Sequence, residues 1–565
     1  MTVDEGDAIE PLGTDAPQKD ENDNPEHPQS RGITAEPGQL LRATRRSPGH
    51  AVAKGTKRNR PATVTMMAVT VVAAPLVIAI VRLATLGHVY LSADLAVMDL
   101  RVRDALHFQQ LLGPFDRFGW DHPGPAYFYL LAAIHLIVRD SGRTQFIGSV
   151  VVNLSCTLGT IWVVHRRAGR WAALWTGLCL GGLALLLSAS NGNADQPLGV
   201  LLSPWNPNVV VFPLVLFGVL CAVGTLGSWA ALMGASLVGS FVVQTDIGTL
   251  PLVTLFFVGS GVAAVIRTRH AKIGVPWRVL ALGGAGTLLL WLPPLVQQVR
   301  SRTGNFTLLW RFFTAKHPLH DLVSSLKSVL ATDESRGGPL HSLSDLHVSA
   351  LLTGLAVVAV VCIVLGIRGK RPLVTSLGLA SLLGFFISVY AATRIVGPVF
   401  AYLLQWEIAV PVFAVLGVGV AVLAVEPGAL VKTLVFGAAT VMTLVLSIAM
   451  IRLPMSHASN PEVAEAWHIV APYLRHDTGR TVFLDIRGPL AESPAFWGLF
   501  DELEVRGLRP RTSSLWRGAV GDEFVSKHRQ PVYVFLYPPS NQVERMPGYV
   551  GRIATADIVV SHSAS

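Results

Sequence analysis

Asp94 and Asp99 share one short polar stretch with Arg101, Arg103 and Arg117, and that stretch closes on Asp121-His122-Pro123-Gly124-Pro125. The combination has a definite chemistry. A carboxylate can take the proton of an attacking hydroxyl, and guanidinium groups can hold a phosphate and stabilise it as it leaves. Asp94 and Asp99 are five residues apart, roughly 140° around a helix, so only one of them faces a shared site. His122 either orients the carboxylate or the acceptor, or caps the segment that Pro123 opens. Taken singly, each of these charges fits an interfacial amphipathic helix with snorkelling side chains better than a site. The early Asp and the His-Pro-Gly-Pro run together are harder to account for in that way.

Further polar residues recur between apolar runs. Ser203-Pro204-Trp205-Asn206-Pro207 follows Asp195, and Gln244-Thr245-Asp246 ends another run. Trp291-Leu292-Pro293-Pro294 leads to Gln297, Gln298, Arg300 and Arg302, and Gly304-Asn305 begins a long loop to about His347. Arg394 and Tyr402 flank Gly397-Pro398. Single Trp and Tyr residues at such borders commonly act as interfacial anchors. Arg394 is the strongest of this group, because an Arg at membrane depth needs an anionic partner.

What positions these residues is a membrane bundle. Hydrophobic residues make up 51% of the chain and charged residues only 14%, against roughly 25% charged in a soluble domain; the mean hydropathy is +0.49. Apolar runs repeatedly reach the ~20 residues that cross a hydrocarbon core, which excludes a soluble enzyme. The net charge of +9 does not mark a nucleic-acid binder, because the basic residues lie beside apolar runs and form no single recognition surface. Cys156, Cys179, Cys221 and Cys362 each fall inside an apolar run, without metal or redox spacing.

Positive charge marks cytoplasmic loops, which gives a parity test. Residues 1–60 read as a disordered tail, acidic and then basic, that stays in the cytoplasm. With Ala62–Leu86 crossing outward, His165–Arg167, Arg267–Lys272 and Arg368–Arg371 should all lie inside. The runs Trp171–Ser190, Val209–Leu226, Trp229–Val243, Thr249–Ile266, Val279–Val296, Val348–Ile367, Pro372–Ala391, Val399–Val425 and Val431–Ile451 satisfy this. Pro125–Val138 and Phe146–Val164 cannot both cross without putting His165–Arg167 outside. The first is therefore expected partly in the interface, giving eleven crossings, with twelve or thirteen helices as the alternative.

The expected fold is an α-helical polytopic membrane domain over 61–452, followed by a small external α/β domain over 453–565. Asn460-Pro461-Glu462 reads as a helix start running to about Arg475, and Thr481–Ile486, Pro531–Tyr537 and Ala556–Val560 read as buried strands. No catalytic motif is visible in that last domain.

The Asp after the first membrane helix, followed by a polar loop ending in His-Pro-Gly-Pro-Ala-Tyr-Phe-Tyr (122–129), resembles the start of the GT-C glycosyltransferases. The similar branch contains the protein-mannosyltransferase-like and lipid A aminoarabinose transferase-like enzymes, and the resemblance implies a bacterial envelope protein. It is most specific over Asp94–Tyr129. It implies that Asp94, with Asp99 as alternative, serves as base or metal-associated carboxylate. The donor would be a polyprenyl-phosphate-linked sugar and the acceptor a hydroxyl of a glycan or lipid, at the outer face of the plasma membrane. Arg394, with Arg103 or Arg300, would hold the donor phosphate, and His122, Trp205 and Tyr402 would line the substrate site. The family's frequent Asp-Glu pair is absent, since Leu95 follows Asp94, so a divalent metal is left open.

Two other classes share these features. A transporter or lipid flippase predicts ionisable residues at mid-membrane and repeated halves, whereas most helix interiors here lack charge. A non-catalytic envelope assembly protein would keep the fold without needing Asp94.

Overall fold

The computed structural model describes residues 60–189, 197–330, 345–423, 426–474, 481–487, 493–528 and 530–562. The N-terminal tail and Asp195 lie outside them. The first helix, α1 (Arg60–Ala84), is followed by α2 (Ala93–Leu106), α3 (Ala126–Val138) and the long α4 (Ser141–Ser188). Single helical turns α5 (Gly199–Leu202) and α6 (Asn206–Val209) lead into α7 (Val211–Gly224), α8 (Trp229–Thr245), α9 (Leu250–His270) and α10 (Trp277–Arg300). Two short helices, α11 (Asn305–Thr314) and α12 (Leu322–Val329), precede α13 (Asp345–Arg368), α14 (Pro372–Thr393), α15 (Ala409–Leu423) and α16 (Ala429–Arg452).

Eight of these segments are long and apolar enough to cross a membrane. One of them, α4, is two legs joined at Gly169, whose φ of 86° and ψ of 179° break the helix. The left-handed φ is one that glycine adopts without the steric cost a Cβ would bring. Counting both legs of α4 and adding the shorter apolar helices α8 and α13 gives eleven apolar segments besides α3 among the described residues, and eight stretches, α4 counted once, meet the length and apolarity of a membrane span.

Contacts between passages show which loops share an end. Arg167 donates to Ser228 at 2.8 Å, Arg170 pairs with Glu426 at 2.9 Å, and Arg371 donates to the Ala421 carbonyl. The basic clusters around residues 165–170, 267–272 and 368–371 therefore gather at one end of the bundle. At the other end Arg82 donates to the Leu453 carbonyl at 2.9 Å, His320 meets the Gly397 carbonyl at 2.9 Å, and Asp121 meets Asn305. The polar loops cluster there.

The doubtful segment, α3, begins and ends at this polar end. The Tyr127 hydroxyl donates to the Pro204 carbonyl at 3.0 Å, while Asp140, just past its C-terminus, lies 3.2 Å from His88. Arg139 takes a left-handed φ of 56° and turns the chain straight into α4. Thirteen residues span roughly 20 Å, too few for a full crossing, so α3 reverses without adding one.

The C-terminal region carries α17 (Pro461–Leu474), α18 (Pro494–Val505) and a single turn, α19 (Arg517–Val520). Its five strands are β1 (Thr481–Ile486), β2 (Arg509–Arg511), β3 (Val532–Tyr537), β4 (Tyr549–Arg552) and β5 (Asp557–His562). They form one mixed sheet in the order β2-β1-β3-β5-β4, with β1 parallel to both β2 and β3 and with β5 antiparallel to β3 and β4. Asn460 caps α17 by accepting from the Glu462 and Val463 amides at 2.9 and 3.2 Å, which satisfies two of the donors a helix start leaves unpaired. Leu100 of α2 enters the core of this region, beside Phe496 and Phe500.

Candidate active site

Asp94 lies in the first turn of α2, after the N-cap Ser92, where the helix dipole favours an ionised carboxylate. It is exposed, although the residues around it on α2 are buried. Ala93, immediately before it, holds a left-handed φ of 47°. A side chain in that region stores local strain, which persists only where surrounding structure enforces it.

Trp205 answers Asp94 from across the bundle end. Its indole Nε1 donates to Asp94 Oδ2 at 3.0 Å. The Trp205 segment is held by buried polar groups on α4 and α3. Ser149 donates to the Leu202 carbonyl and Asn153 to the Leu201 carbonyl, both at 2.9 Å, and Tyr127 holds Pro204. Polar groups buried in a membrane bundle need such partners, so these helices fix where the indole stands.

Aromatic rings continue from Trp205. Tyr402 packs on it with centroids 4.9 Å apart, and Phe400 stacks on Tyr402 at 5.7 Å with the planes 9° apart. Arg117 completes the group. It occupies a tight turn, where Gly119 donates to the Asp116 carbonyl at 3.0 Å and the Asp116 side chain accepts from the Phe118 amide at 2.9 Å. This turn tips a small hairpin closed by His122 and Gly113 at 2.9 Å. The exposed guanidinium lies 5.2 Å from the Phe400 ring centre and 3.4 Å from the Tyr402 hydroxyl. One carboxylate, one cation and an aromatic wall thus face one another.

Two more carboxyls stand close by. Burial raises Asp116 from its ordinary value, opposed by the Phe118 amide and the Arg117 charge, with the Asp94 charge adding to the rise. Burial pushes Asp246 up to about 7, offset by the Gly248 amide it accepts from at 2.9 Å. Among the described residues, no three His, Cys, Asp or Glu side chains come together as a metal site.

His122 neither touches Asp94 nor faces open space. Its Nδ1 accepts from the Ile247 amide at 3.0 Å, and its Nε2 lies 3.2 Å from the Asn206 side-chain amide. Burial pushes its pKa down to about 3, so the ring is neutral. It clips the Arg117 hairpin to the turn that carries Trp205.

The remaining sequence candidates are placed differently. Asp99 is buried and pairs with Arg103 at 2.9 Å on the α2 face that meets α18, where Arg103 also lies 3.9 Å from Asp501. Burial, with Asp99 alongside, raises Asp501 well above the carboxylate range. Asp99 and Arg103 thus join α2 to the C-terminal region and do not share the Asp94 group. Arg300 and Arg394 end α10 and α14 at the polar end, exposed, with no carboxylate in ion-pair reach among the described residues. Arg117 carried a visible sequence signal as a phosphate cation, but nothing in the sequence placed it opposite Trp205.

No protein-family model matches the chain, and no curated protein matches it in sequence. Solved structures do match in fold. ArnT from Cupriavidus metallidurans bound to undecaprenyl phosphate superposes with a TM-score of 0.55 at 14% identity, covering 87% of this chain and 98% of that one. The same protein in the apo state gives 0.55 at 13% identity, covering 88% and 98%. The Archaeoglobus fulgidus oligosaccharyltransferase reaches a TM-score of only 0.35 at 12% identity, over 81% and 65% of the two chains, too distant to bear on the fold. The chain is therefore a multi-pass membrane protein that shares the fold of ArnT.

Proposed function

We propose that this protein transfers a sugar from a polyprenyl-phosphate-linked donor to a hydroxyl of a glycan or lipid acceptor, at the outer face of the plasma membrane. The observation that carries the reading is the Asp94–Trp205–Tyr402–Arg117 group at the polar end of the bundle. The acceptor hydroxyl attacks the anomeric carbon while Asp94 takes its proton. The bond between that carbon and the phosphate oxygen breaks, and polyprenyl phosphate leaves with the bonding electron pair. Arg117 lies where it can neutralise that phosphate, with Arg300 and Arg394 as further cations at the same end. Trp205 holds the Asp94 carboxylate in place, and the Trp205–Tyr402–Phe400 wall offers apolar faces to a sugar ring.

The side assignment rests on the basic clusters at the opposite end, which read as cytoplasmic. The tail would then be cytoplasmic and the 453–565 domain external. The undecaprenyl phosphate in the ArnT structure supports a lipid-phosphate donor for the shared fold.

The test is reconstitution of the full chain in liposomes with radiolabelled polyprenyl-phosphate sugars and an envelope lipid and glycan fraction as acceptor. Label moving from the lipid donor to the acceptor is the expected outcome. If no sugar on a polyprenyl phosphate is transferred, while labelled lipid equilibrates between leaflets, the reading yields to a flippase.

A further inference from the structure

We propose that the groove between α7, α9 and α14 at the basic end of the bundle binds one anionic phospholipid, its headgroup on Arg267 and Lys370. The groove encloses about 690 Å³. Along its length it is lined by Leu255, Phe256, Leu379 and Leu383, and Gly259, whose Cβ would meet nothing within 4 Å, leaves space between them. Leu255 and Leu379 remain nearly half exposed. This is the shape and polarity of an acyl-chain slot.

The two cations set its chemistry. Arg267 lies in the last turn of α9, and Lys370 in the turn between α13 and α14. Both are exposed, and neither forms an ion pair among the described residues. Lys370 takes its left-handed φ of 52° in the turn that ends α13, where the Arg371 amide donates to the Gly366 carbonyl at 2.8 Å. The hydroxyls deeper in the groove are already engaged: Thr225 and Ser376 lie 2.7 Å apart, and Thr225 also meets the Ala222 carbonyl at 2.7 Å. The free polar capacity of the groove is thus cationic and confined to its mouth. A phosphodiester anion on an acyl chain matches both parts at once.

The groove is separate from the Asp94 group. Arg267 ends the 21-residue α9, which starts beside Asp246 at the polar end, so roughly 30 Å of helix lies between the two places.

The test uses the purified full chain in neutral detergent, with added phosphatidylglycerol, phosphatidylcholine or glycerol phosphate, read by thermal midpoint and by native mass spectrometry. Phosphatidylglycerol should bind one per chain and raise the midpoint by several degrees, while the other two should not. Arg267→Gln with Lys370→Gln should weaken phosphatidylglycerol binding roughly ten- to thirty-fold. Gly259→Leu provides an independent arm. A Cβ at Gly259 meets nothing within 4 Å, so the leucine fills the slot, keeps both cations and should abolish binding without disturbing the fold. Equal binding of phosphatidylcholine, a full shift by glycerol phosphate alone, or undiminished binding in both variants would each overturn the proposal.

Discussion

The Trp205 indole N–H donates to the Asp94 carboxylate at 3.0 Å, across 111 residues of sequence. Asp94 is exposed and Trp205 is buried, so the indole is a partner held in place by its own packing.

Trp205→Phe keeps an aromatic ring beside Tyr402 and removes only the donor. A hydrogen bond to a charged group contributes about 1.5–3 kcal/mol, so if it acts mainly in the transition state, kcat should fall roughly ten- to hundred-fold. Donor KM should change little. Steady-state kinetics separate the two, and a change confined to KM would make Trp205 a binding residue only.

Arg117→Gln keeps the hairpin, whose hydrogen bonds use backbone atoms and Asp116. It removes the cation facing Tyr402 and Phe400. Transfer should drop by about 2–3 kcal/mol, roughly thirty- to hundred-fold. Arg117→Lys should recover part of that loss. Full activity in the glutamine variant would move the phosphate site to Arg300 or Arg394.

His88 ties the end of α1 to α18. Its two ring nitrogens lie 3.2 Å from Asp140 and 2.8 Å from Glu502, and those hydrogen bonds raise its pKa from 6.5 to about 9. A raised histidine stabilises the fold fully below pH 6.5, and the contribution disappears as pH climbs through about 9. The thermal midpoint of His88→Gln should therefore lie below wild type at pH 6 and converge with it at pH 10. A constant gap across that range would show that the charge plays no part.

Gly169 turns α4 back on itself with a φ of 86°, and a Cβ there would meet nothing within 4 Å. The cost of Gly169→Ala is then purely conformational, about 1–2 kcal/mol. Denaturant or thermal unfolding in detergent measures it. No loss of stability would mean that the two legs can join in another way.

The passages were legible because length and apolarity alone decide them; α3 was legible as an exception because Pro125–Val138 is too short and His165–Arg167 must stay with the other basic clusters. In the C-terminal region β1, β3 and β5 announced themselves as apolar runs. β2 and β4 did not, since Arg509–Arg511 and Tyr549–Arg552 are short, polar edge strands set by pairing with their neighbours. The site was legible as a list of residues on one side, Asp94 first. Its pairings were not, because Trp205 reaches Asp94 only through the packing of α4 against the 199–205 turn. Asp99 and Arg103 show the same limit: their face of α2 is decided by α18, some 400 residues later by the numbers of Arg103 and Asp501.

Asp94→Asn is the most direct test of the central claim. The substitution keeps the size of the side chain and its acceptor for the Trp205 N–H, and removes the base. With wild type transferring label from a polyprenyl-phosphate sugar, the variant should bind donor normally and lose about 10²–10⁴-fold in kcat. Transfer by Asp94→Asn at the wild-type rate would contradict the account.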